Sequence, residues 1–440
     1  MKIPILLIGL LLLIAANTSA ESYKKADNEL LVEYELLYTY SIDSLERFFE
    51  KKEIPKTFAP IRNAVEMYEV TYYGKWVNKS YVKAKGIVFI PKSKGAKPEV
   101  AYCHGTRMAI KEKRGLDDDE QMVSIIFAAD GYVSYFPFYY GLGGGDKRHI
   151  YQHAETEANA VIYMIKACRE KLLPELKIET DGNLFVTGYS QGGHAAMATH
   201  KMMETPAYSN LKITASAPLA GAFDMTGTQS ETIYEEYKDA YYLPYLLVSY
   251  NDVYPELWQG DIYNVFKAEY REDLRKYFEN PEDMDFNILN DKLPGVPSEM
   301  IEDSLLAMLT SDSNSPFVKK MAENNLHNWK PEAPVLLCAC EGDDIVLAAN
   351  TEITYQNMKD NGAEVYKKIY GKNLGHVPCA GFAIMYSKDF FDNVLKDKRR
   401  IAKTPFKKRL MIKLGIMAGN RKAKQISKGF STKEKEIEVE

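Results

Sequence analysis

Short apolar runs alternate with amphipathic segments along most of the chain. Each run is bounded by loop residues and suits one buried strand; the runs cover 99–103, 132–137, 184–187, 213–218, 335–340 and 364–369. Segments with the apolar spacing of helices accompany them, at 118–129, 155–171, 192–204, 351–361 and 381–395. Because strands that alternate with helices usually pair in parallel and are covered on both faces, the pattern predicts an α/β protein with a mostly parallel central sheet flanked by helices.

The part of the chain before this region has a different pattern. Segments 65–77 and 81–91 are separated by a turn at 78–80 and predict two antiparallel strands. Segment 26–49 is charged, rich in aromatic residues and has helical spacing, so we expect a helix there.

One long gap interrupts the alternation of strands and helices. A structureless loop from 225 to 330 would be implausible in a compact domain, and the segment contains helical patterns rich in Tyr, Glu and Asp. We therefore expect a helical insertion that caps the edge of the sheet; the alternative is a second domain away from that edge. The predicted organisation is a signal peptide at 1–20, an α/β core at 21–224 and 331–395, a cap at 225–330 and a basic tail at 396–440.

The first residues have the features of an export signal. A basic Lys2 precedes the apolar run 3–16, and the small residues Thr18 and Ala20 suit a cleavage site. The alternative, an uncleaved anchor, is disfavoured because the run is short for a span of about 20 residues. We therefore predict export to the periplasm or the medium.

The net charge of −5 conceals a strong asymmetry. Residues 396–428 contain thirteen Lys or Arg and a single acid, Asp397, so the rest of the chain carries −17. Within the tail, segment 406–419 interleaves apolar and basic residues. It is either a basic amphipathic helix for an anionic membrane surface or a solvated helix packed on the core. No motif or aromatic and basic stripe supports nucleic-acid binding.

A candidate nucleophile lies between an apolar strand and a helix. Ser190 is the centre of a G-x-S-x-G motif formed with Gly188 and Gly192. A serine hydroxyl is a weak nucleophile, so it must be held on a tight turn where a base reaches it, and glycines allow the close backbone approach there. The turn would also direct the amide of Gln191 toward an oxygen that becomes negative during acyl transfer.

The chain offers a base and an orienting acid in the order expected after such a serine. Asp343 follows the strand predicted at 335–340, and His376 lies in a loop before the last helix. Both positions are at the carboxyl ends of predicted parallel strands, where α/β proteins place their chemistry. Asp344 is an alternative acid. We expect His104 to be structural.

Two interpretations stay open for each of two further histidines. His149 and His153 follow a glycine-rich stretch after the strand predicted at 132–137. They either line a substrate pocket or lie at the solvated surface.

With these residues, the chain resembles the α/β-hydrolases and, within them, the secreted lipase and esterase group. The matching motifs are YCHGT (102–106), GYVSYFPFYYGLG (131–143), YQHAETEANAVIYMIKACR (151–169), GYSQGGH (188–194), NLHNWKPEAPV (325–335), GDDIV (342–346) and GH (375–376). The resemblance implies an α/β-hydrolase fold with Ser190, Asp343 and His376 as the catalytic triad. It also implies that the amide of Thr106 joins that of Gln191 in an oxyanion hole.

These observations predict a secreted serine hydrolase that cleaves small or lipid-like carboxylic esters through an acyl-enzyme. No metal or organic cofactor is expected. The alternatives are a secreted aminopeptidase of the same fold and a binding protein without turnover. Nothing in the sequence fixes the oligomeric state.

The five cysteines are scattered through apolar runs and suit buried core positions. A bridge between Cys340 and Cys379, each close in sequence to a candidate catalytic residue, stays open.

Overall fold

The structure is a computed structural model that describes residues 30–107, 113–258, 260–279, 286–310, 314–397, 402–405, 407–411 and 414–415. The predicted signal peptide lies outside the described residues, as does the end of the tail from 416 to 440.

A nine-stranded sheet forms the centre of the described structure, with the strand order β1-β2-β3-β5-β4-β6-β7-β8-β9. The strands are β1 (Leu31–Tyr40), β2 (Val65–Lys75), β3 (Tyr81–Pro91), β4 (Lys97–Cys103), β5 (Val133–Pro137), β6 (Thr180–Tyr189), β7 (Ala215–Leu219), β8 (Val335–Cys340) and β9 (Val365–Tyr370). Strands β4 to β9 pair in parallel, whereas β1, β2 and β3 pair antiparallel with their neighbours. The predicted α/β class, the mostly parallel sheet and the antiparallel pair before it are confirmed.

The helix expected over 26–49 is wrong for most of its length. Residues Leu31–Tyr40 form β1, which pairs antiparallel with β2, and only α1 (Ile42–Lys51) is helical. The segment is rich in Leu, Val, Tyr and Thr, and the open edge of β2 supplies hydrogen-bond partners that favour a strand. Ser41 starts α1, since its hydroxyl accepts a hydrogen bond from the amide of Ser44 at 3.1 Å.

Helices cover both faces of the sheet, and side chains that alternate along each strand pack against them in turn. The helices after α1 are α2 (Gln121–Asp130), α3 (Ala154–Ala167), α4 (Leu173–Glu175), α5 (Gln191–Met203), α6 (Tyr242–Tyr250), α7 (Ala268–Glu279), α8 (Phe286–Asn290), α9 (Asp303–Thr310), α10 (Pro316–Ala322), α11 (Ala348–Asp360) and α12 (His376–Leu395). On β4, Val100 and Tyr102 belong to the apolar cluster of α2 and α12, whereas Ala101 and Cys103 belong to that of α3 and α5. None of the described helices is both long enough and apolar enough to cross a membrane.

Segment 225–330 contains α6 to α10 and has an apolar cluster of its own. Core residues from the edge of the sheet, Tyr151 and Ile345 among them, share that cluster. The two ends of the segment meet, because the amide of Met225 donates to the side chain of Asn325 at 2.9 Å. The segment therefore leaves and rejoins the core at one place and packs on the sheet edge.

Candidate active site

Ser190 occupies a strained turn between β6 and α5. Its backbone has φ 61° and ψ −125°, a conformation that residues with a side chain rarely adopt. Its amide donates to the carbonyl of Leu219 at 3.1 Å, which ties the turn to β7. The sharp reversal places the serine at the carboxyl edge of the parallel strands, as the motif predicts.

Two glycines make this turn possible through close backbone contacts. A Cβ atom on Gly188 would lie 2.3 Å from the carbonyl oxygen of Gly192, and one on Gly192 would lie 2.0 Å from that of Cys103. Any side chain at either position would force α5 away from β4 and β6. This is the close approach expected from the sequence.

Asp343 and His376 are hydrogen-bonded to each other. The ring nitrogen Nδ1 of His376 lies 2.8 and 2.9 Å from the two carboxylate oxygens of Asp343. The carboxylate is fixed in turn, since its Oδ1 accepts from the amides of Ile345 at 3.0 Å and Val346 at 2.8 Å. The Asp343 side chain is fully buried. A carboxylate in this position holds the proton of the imidazole on Nδ1 and leaves Nε2 as the basic nitrogen.

Asp344 contacts the backbone of the same histidine instead of its ring. Its Oδ1 accepts from the amide of His376 at 2.8 Å. That amide belongs to the first residue of α12, because the helix begins five residues earlier than expected and His376 is helical, not part of a loop. The first amides of a helix need acceptors from outside it, and Asp344 supplies one.

The other ring nitrogen of His376 is left unpaired. Nε2 is buried and forms no hydrogen bond with any described residue, Ser190 included. The ring lies against Tyr189, with 4.8 Å between ring centres, and the Tyr189 hydroxyl donates to the carbonyl of His376 at 2.7 Å. Ser190 and His376 line the same cavity. The structure thus pairs Asp343 with His376 and places Ser190 on the wall of the same cavity, without a hydrogen bond between Ser190 and His376.

A disulfide links the end of β8 to the first turn of α12. Cys340 and Cys379 are bonded, with Cα atoms 6.0 Å apart. One lies three residues before Asp343 and the other three residues after His376. The pairing that the sequence left open is therefore present, and it links the two segments that carry Asp343 and His376. Cys103, Cys168 and Cys338 are buried and free.

The two candidate oxyanion donors occupy different surroundings. Gln191 is the first residue of α5, where amides have no acceptor within the helix. Its side chain is buried, with Nε2 2.7 Å from Glu157 Oε1 and 2.7 Å from His149 Nε2. Thr106 lines the cavity that contains Ser190 and His376. The amide before it, that of Gly105, is fixed by Glu120 Oε1 at 2.7 Å.

Glu157, which no motif in the sequence singled out, lies directly behind the turn. Besides Gln191, its carboxylate contacts Nδ1 of His194 at 2.7 Å, and the second ring nitrogen of His194 lies 3.0 Å from the carbonyl of Asn324. Glu157, Gln191 and His194 therefore form one buried, hydrogen-bonded group behind the turn. The sequence carries one signal that could have identified Glu157: this acid lies on the apolar stripe of α3, four residues before Val161 and eight before Ile165.

Two cavities meet at Ser190. The narrow cavity, of about 120 Å³, lies between Ser190 and segment 225–330 and is mainly apolar, with Met225, Leu243, Leu246, Leu306, Leu309 and Phe317 in its wall. The wide cavity, of about 670 Å³, has Ile54, Phe58, Met122, Ile126, Ile384 and Met385 in its wall. Tyr242 and Ile345 line both, whereas His376 and Thr106 line the wide cavity. Among the described residues, no group of three or more His, Cys, Asp or Glu is arranged to hold a metal ion.

The chain matches one protein family and is similar to several solved structures. Residues 116–393 match the model of a family described as secretory lipase. Three similar solved structures come from different organisms. A putative hydrolase from Legionella pneumophila is 24% identical, with 83% of this chain and 98% of that chain covered and a TM-score of 0.76. The rice cell wall degrading esterase LipA from Xanthomonas oryzae is 25% identical, with 84% and 99% covered and a TM-score of 0.70.

Lipase A from Candida antarctica is 14% identical, with 86% and 83% covered and a TM-score of 0.64. No curated protein sequence matches the chain. The likenesses to solved structures confirm the expected α/β-hydrolase fold.

Proposed function

Since the chain belongs to the secretory lipase family, whose members are carboxylic ester hydrolases, we propose that it is an exported serine hydrolase that cleaves lipid-like esters. One observation carries the proposal. The Asp343–His376 pair leaves a buried, unpaired Nε2 on the wall of a cavity that Ser190 also lines. The proposed nucleophile, base and acid are Ser190, His376 and Asp343.

The first half of the proposed reaction forms an acyl-enzyme. The hydroxyl oxygen of Ser190 attacks the ester carbonyl while Nε2 of His376 takes its proton. Asp343 holds the ring orientation and stabilises the imidazolium that results. The carbonyl oxygen becomes negative, and the amides of Gln191 and Thr106 donate to it. The tetrahedral intermediate then collapses, and the alcohol leaves with the proton from Nε2.

The second half releases the acid. Nε2 of His376 takes a proton from water, whose oxygen attacks the acyl carbon, and a second tetrahedral intermediate forms. Its collapse returns the proton to Ser190 and frees the carboxylic acid. The chain's own side chains supply every proton transfer in this sequence.

We propose that the two parts of the ester occupy different cavities. The leaving alcohol must receive its proton from His376, and His376 lines the wide cavity. The alcohol part therefore lies in the wide cavity and the acyl chain in the narrow one. Because segment 225–330 supplies most of the narrow cavity, we propose that it is a cap that binds the acyl chain over the core formed by 21–224 and 331–395.

This assignment disfavours the aminopeptidase alternative. The free amino group of a peptide substrate belongs to its acyl part and would need carboxylates in the narrow cavity. The lining described for that cavity contains no Asp or Glu. Its apolar wall instead suits an alkyl chain.

Substitution of the nucleophile tests the proposal. We expect Ser190→Ala to lower kcat on a short-chain p-nitrophenyl ester by about 10⁵-fold or more, while the melting temperature stays within a few degrees. The native protein should be labelled at Ser190 by a fluorophosphonate, and Ser190→Ala should not be. Full activity of the variant would refute the mechanism. Export is tested separately, by N-terminal sequencing of the secreted protein, which should begin after Ala20.

A further inference from the structure

The described part of the tail runs back along α12 toward the active site. Near the end of α12, the side chain of Asn393 donates to the carbonyl of Lys403 at 3.1 Å. Further along, Lys408 forms an ion pair with Asp389. Gly415 then lies beside Phe382, whose ring would be 3.1 Å from a Cβ atom at that glycine. The tail is thus antiparallel to α12 and approaches the end at which His376 lies.

The same stretch borders the mouth of the wide cavity. The Lys408 ammonium lies 5.4 Å from the centre of the Phe58 ring, and Phe58 lines that cavity. Gly381, next to Phe382 on α12, lines it as well. Val377 lies on the same wall and is 72% exposed, so the mouth opens at the surface beside the tail.

The outer side of the tail combines apolar and basic side chains. Leu410 and Leu414 are 45% and 55% exposed, whereas Met411 contacts the rest of the protein, its sulfur 3.7 Å from the hydroxyl of Thr57. Lys407 and Arg409 are exposed beside them. We call the four exposed residues Lys407, Arg409, Leu410 and Leu414 the tail surface. Clustered exposed apolar groups on a soluble protein mark a contact with a partner, and interleaved cations specify an anionic one.

The charge distribution gives the contact an orientation. Residues 396–428 carry +12 and the rest of the chain −17, so an anionic surface attracts the tail and repels the remainder of the molecule. We propose that the tail surface binds an anionic lipid bilayer and thereby turns the mouth of the wide cavity toward it. Leu410 and Leu414 enter the interface, while Lys407 and Arg409 meet lipid phosphates.

This inference goes beyond ester hydrolysis, because it concerns a binding surface that contains no proposed catalytic residue. Hydrolysis of a soluble ester needs only the two cavities. Hydrolysis of an ester embedded in a bilayer needs the mouth to meet the surface. The two activities should therefore separate when the tail surface is altered.

Vesicle binding by matched variants tests the inference. Native protein is floated with vesicles of phosphatidylcholine alone and with about 30% phosphatidylglycerol, at low and high salt. Lys407→Gln/Arg409→Gln removes two charges from the tail surface. The control variant, Lys94→Gln/Lys212→Gln, removes two exposed charges from the loops before β4 and β7. These loops lie at the amino ends of the parallel strands, opposite the edge that carries Ser190. All variants share residues 1–29, so any contribution of that segment cancels in the comparison.

We expect binding to the anionic vesicles that weakens with salt, and a partition coefficient about 30-fold lower for the tail variant. Lys94→Gln/Lys212→Gln should change the partition coefficient by less than about threefold. Leu410→Ser/Leu414→Ser should lower it by about tenfold, because apolar contacts are lost without a change in charge. All variants should hydrolyse a soluble short-chain ester like the native protein.

Equal binding to neutral and anionic vesicles, or equal losses in the tail and control variants, would overturn the inference. So would a concentration-dependent dimer that the tail substitutions abolish, since a second copy would then occupy the surface. Ser190→Ala is floated in parallel and should bind like the native protein. If the native protein does not hydrolyse the soluble ester, the proposed function is refuted, whereas the result of the vesicle-binding experiment is unaffected.

Discussion

Two adjacent carboxylates, identical in type, contact different parts of one histidine. Asp343 meets the ring of His376, and Asp344 meets its backbone amide. The first contact sets which ring nitrogen carries the proton, and the second supports the start of α12. The difference arises from the turn after β8, in which the amides of Ile345 and Val346 fix Asp343 toward the ring.

This division predicts unequal effects of the same substitution. Asp343→Asn presents either an N–H group or a neutral carbonyl to Nδ1, so the imidazole loses its oriented, charge-stabilising partner and kcat should fall by about 10⁴-fold. Asp344→Asn keeps an oxygen that accepts from the amide of His376, so kcat should fall by less than about tenfold. Steady-state kinetics of both variants on one soluble ester measure this. Similar losses in the two would contradict the assignment.

Single residues also show what the sequence could and could not reveal. A motif and a chain order singled out Ser190, Asp343 and His376, and their catalytic roles stay a prediction. Glu157 was not, since its importance depends on Gln191 and His194, which reach it from another helix. Neither contact follows from spacing along the chain.

At the scale of secondary-structure elements, local apolar runs predicted the inner strands. The strand β1 and the start of α12 were not predicted, because they depend on contacts with elements elsewhere in the sequence. The inner parallel strands β5, β7 and β8 are buried along their whole length, so their sequences are mainly apolar. Strand β1 is an edge strand with alternately placed Tyr and Leu, and only its pairing with β2 distinguishes it from a helix. The start of α12 at His376 likewise depends on Asp344, which is distant in sequence.

The disulfide joins the end of β8 to the first turns of α12, and its removal tests that link. Cys340→Ser/Cys379→Ser should lower the free energy of unfolding by about 4 kcal/mol, because it frees a loop whose ends are 39 residues apart. Its kcat should fall as well, since Asp343 and His376 lie on the two linked elements.

Denaturant unfolding and ester kinetics, with and without reductant, measure both effects. Reductant should shift the native protein toward the double variant and leave the double variant unchanged. Cys338→Ala, also on β8 but outside the bond, should keep the sensitivity of the native protein to reductant. An insensitive native protein would show that the bond does not stabilise the site.

At the scale of the whole molecule, three buried histidines link stability to pH. His149 and His153 are buried, so their placement at the solvated surface is wrong, and His104 is buried with them. Nδ1 of His153 accepts from the amide of Thr156 at 3.3 Å, and Nε2 of His149 faces the side-chain amide of Gln191. The rings of His149 and His153 each accept a hydrogen bond and are therefore neutral.

Burial lowers the pKa of His104 to about 3, of His149 to about 4 and of His153 to about 3, and Arg107 adds to the effect on His104. In the unfolded chain a histidine has a pKa of about 6.5. As the pH falls below that value, the unfolded state binds protons that the folded state does not. The free energy of unfolding must therefore decrease, and the decrease ends when the folded state also binds them, near pH 3 to 4.

Each histidine contributes at most about 1.4 kcal/mol per pH unit, so the three together should give a loss of up to about 4 kcal/mol per unit between pH 6 and 4. Urea unfolding at pH 7, 6 and 5 measures the slope. His153→Gln places an amide N–H near the hydroxyl of Tyr254, which Nε2 contacts at 2.8 Å, and removes the titrating group. Its slope should be about one third shallower. A free energy of unfolding that stays constant from pH 6.5 to 4.5 would mean that the folded protein accommodates these charges, and the neutral, buried histidines would then not limit its stability in acid.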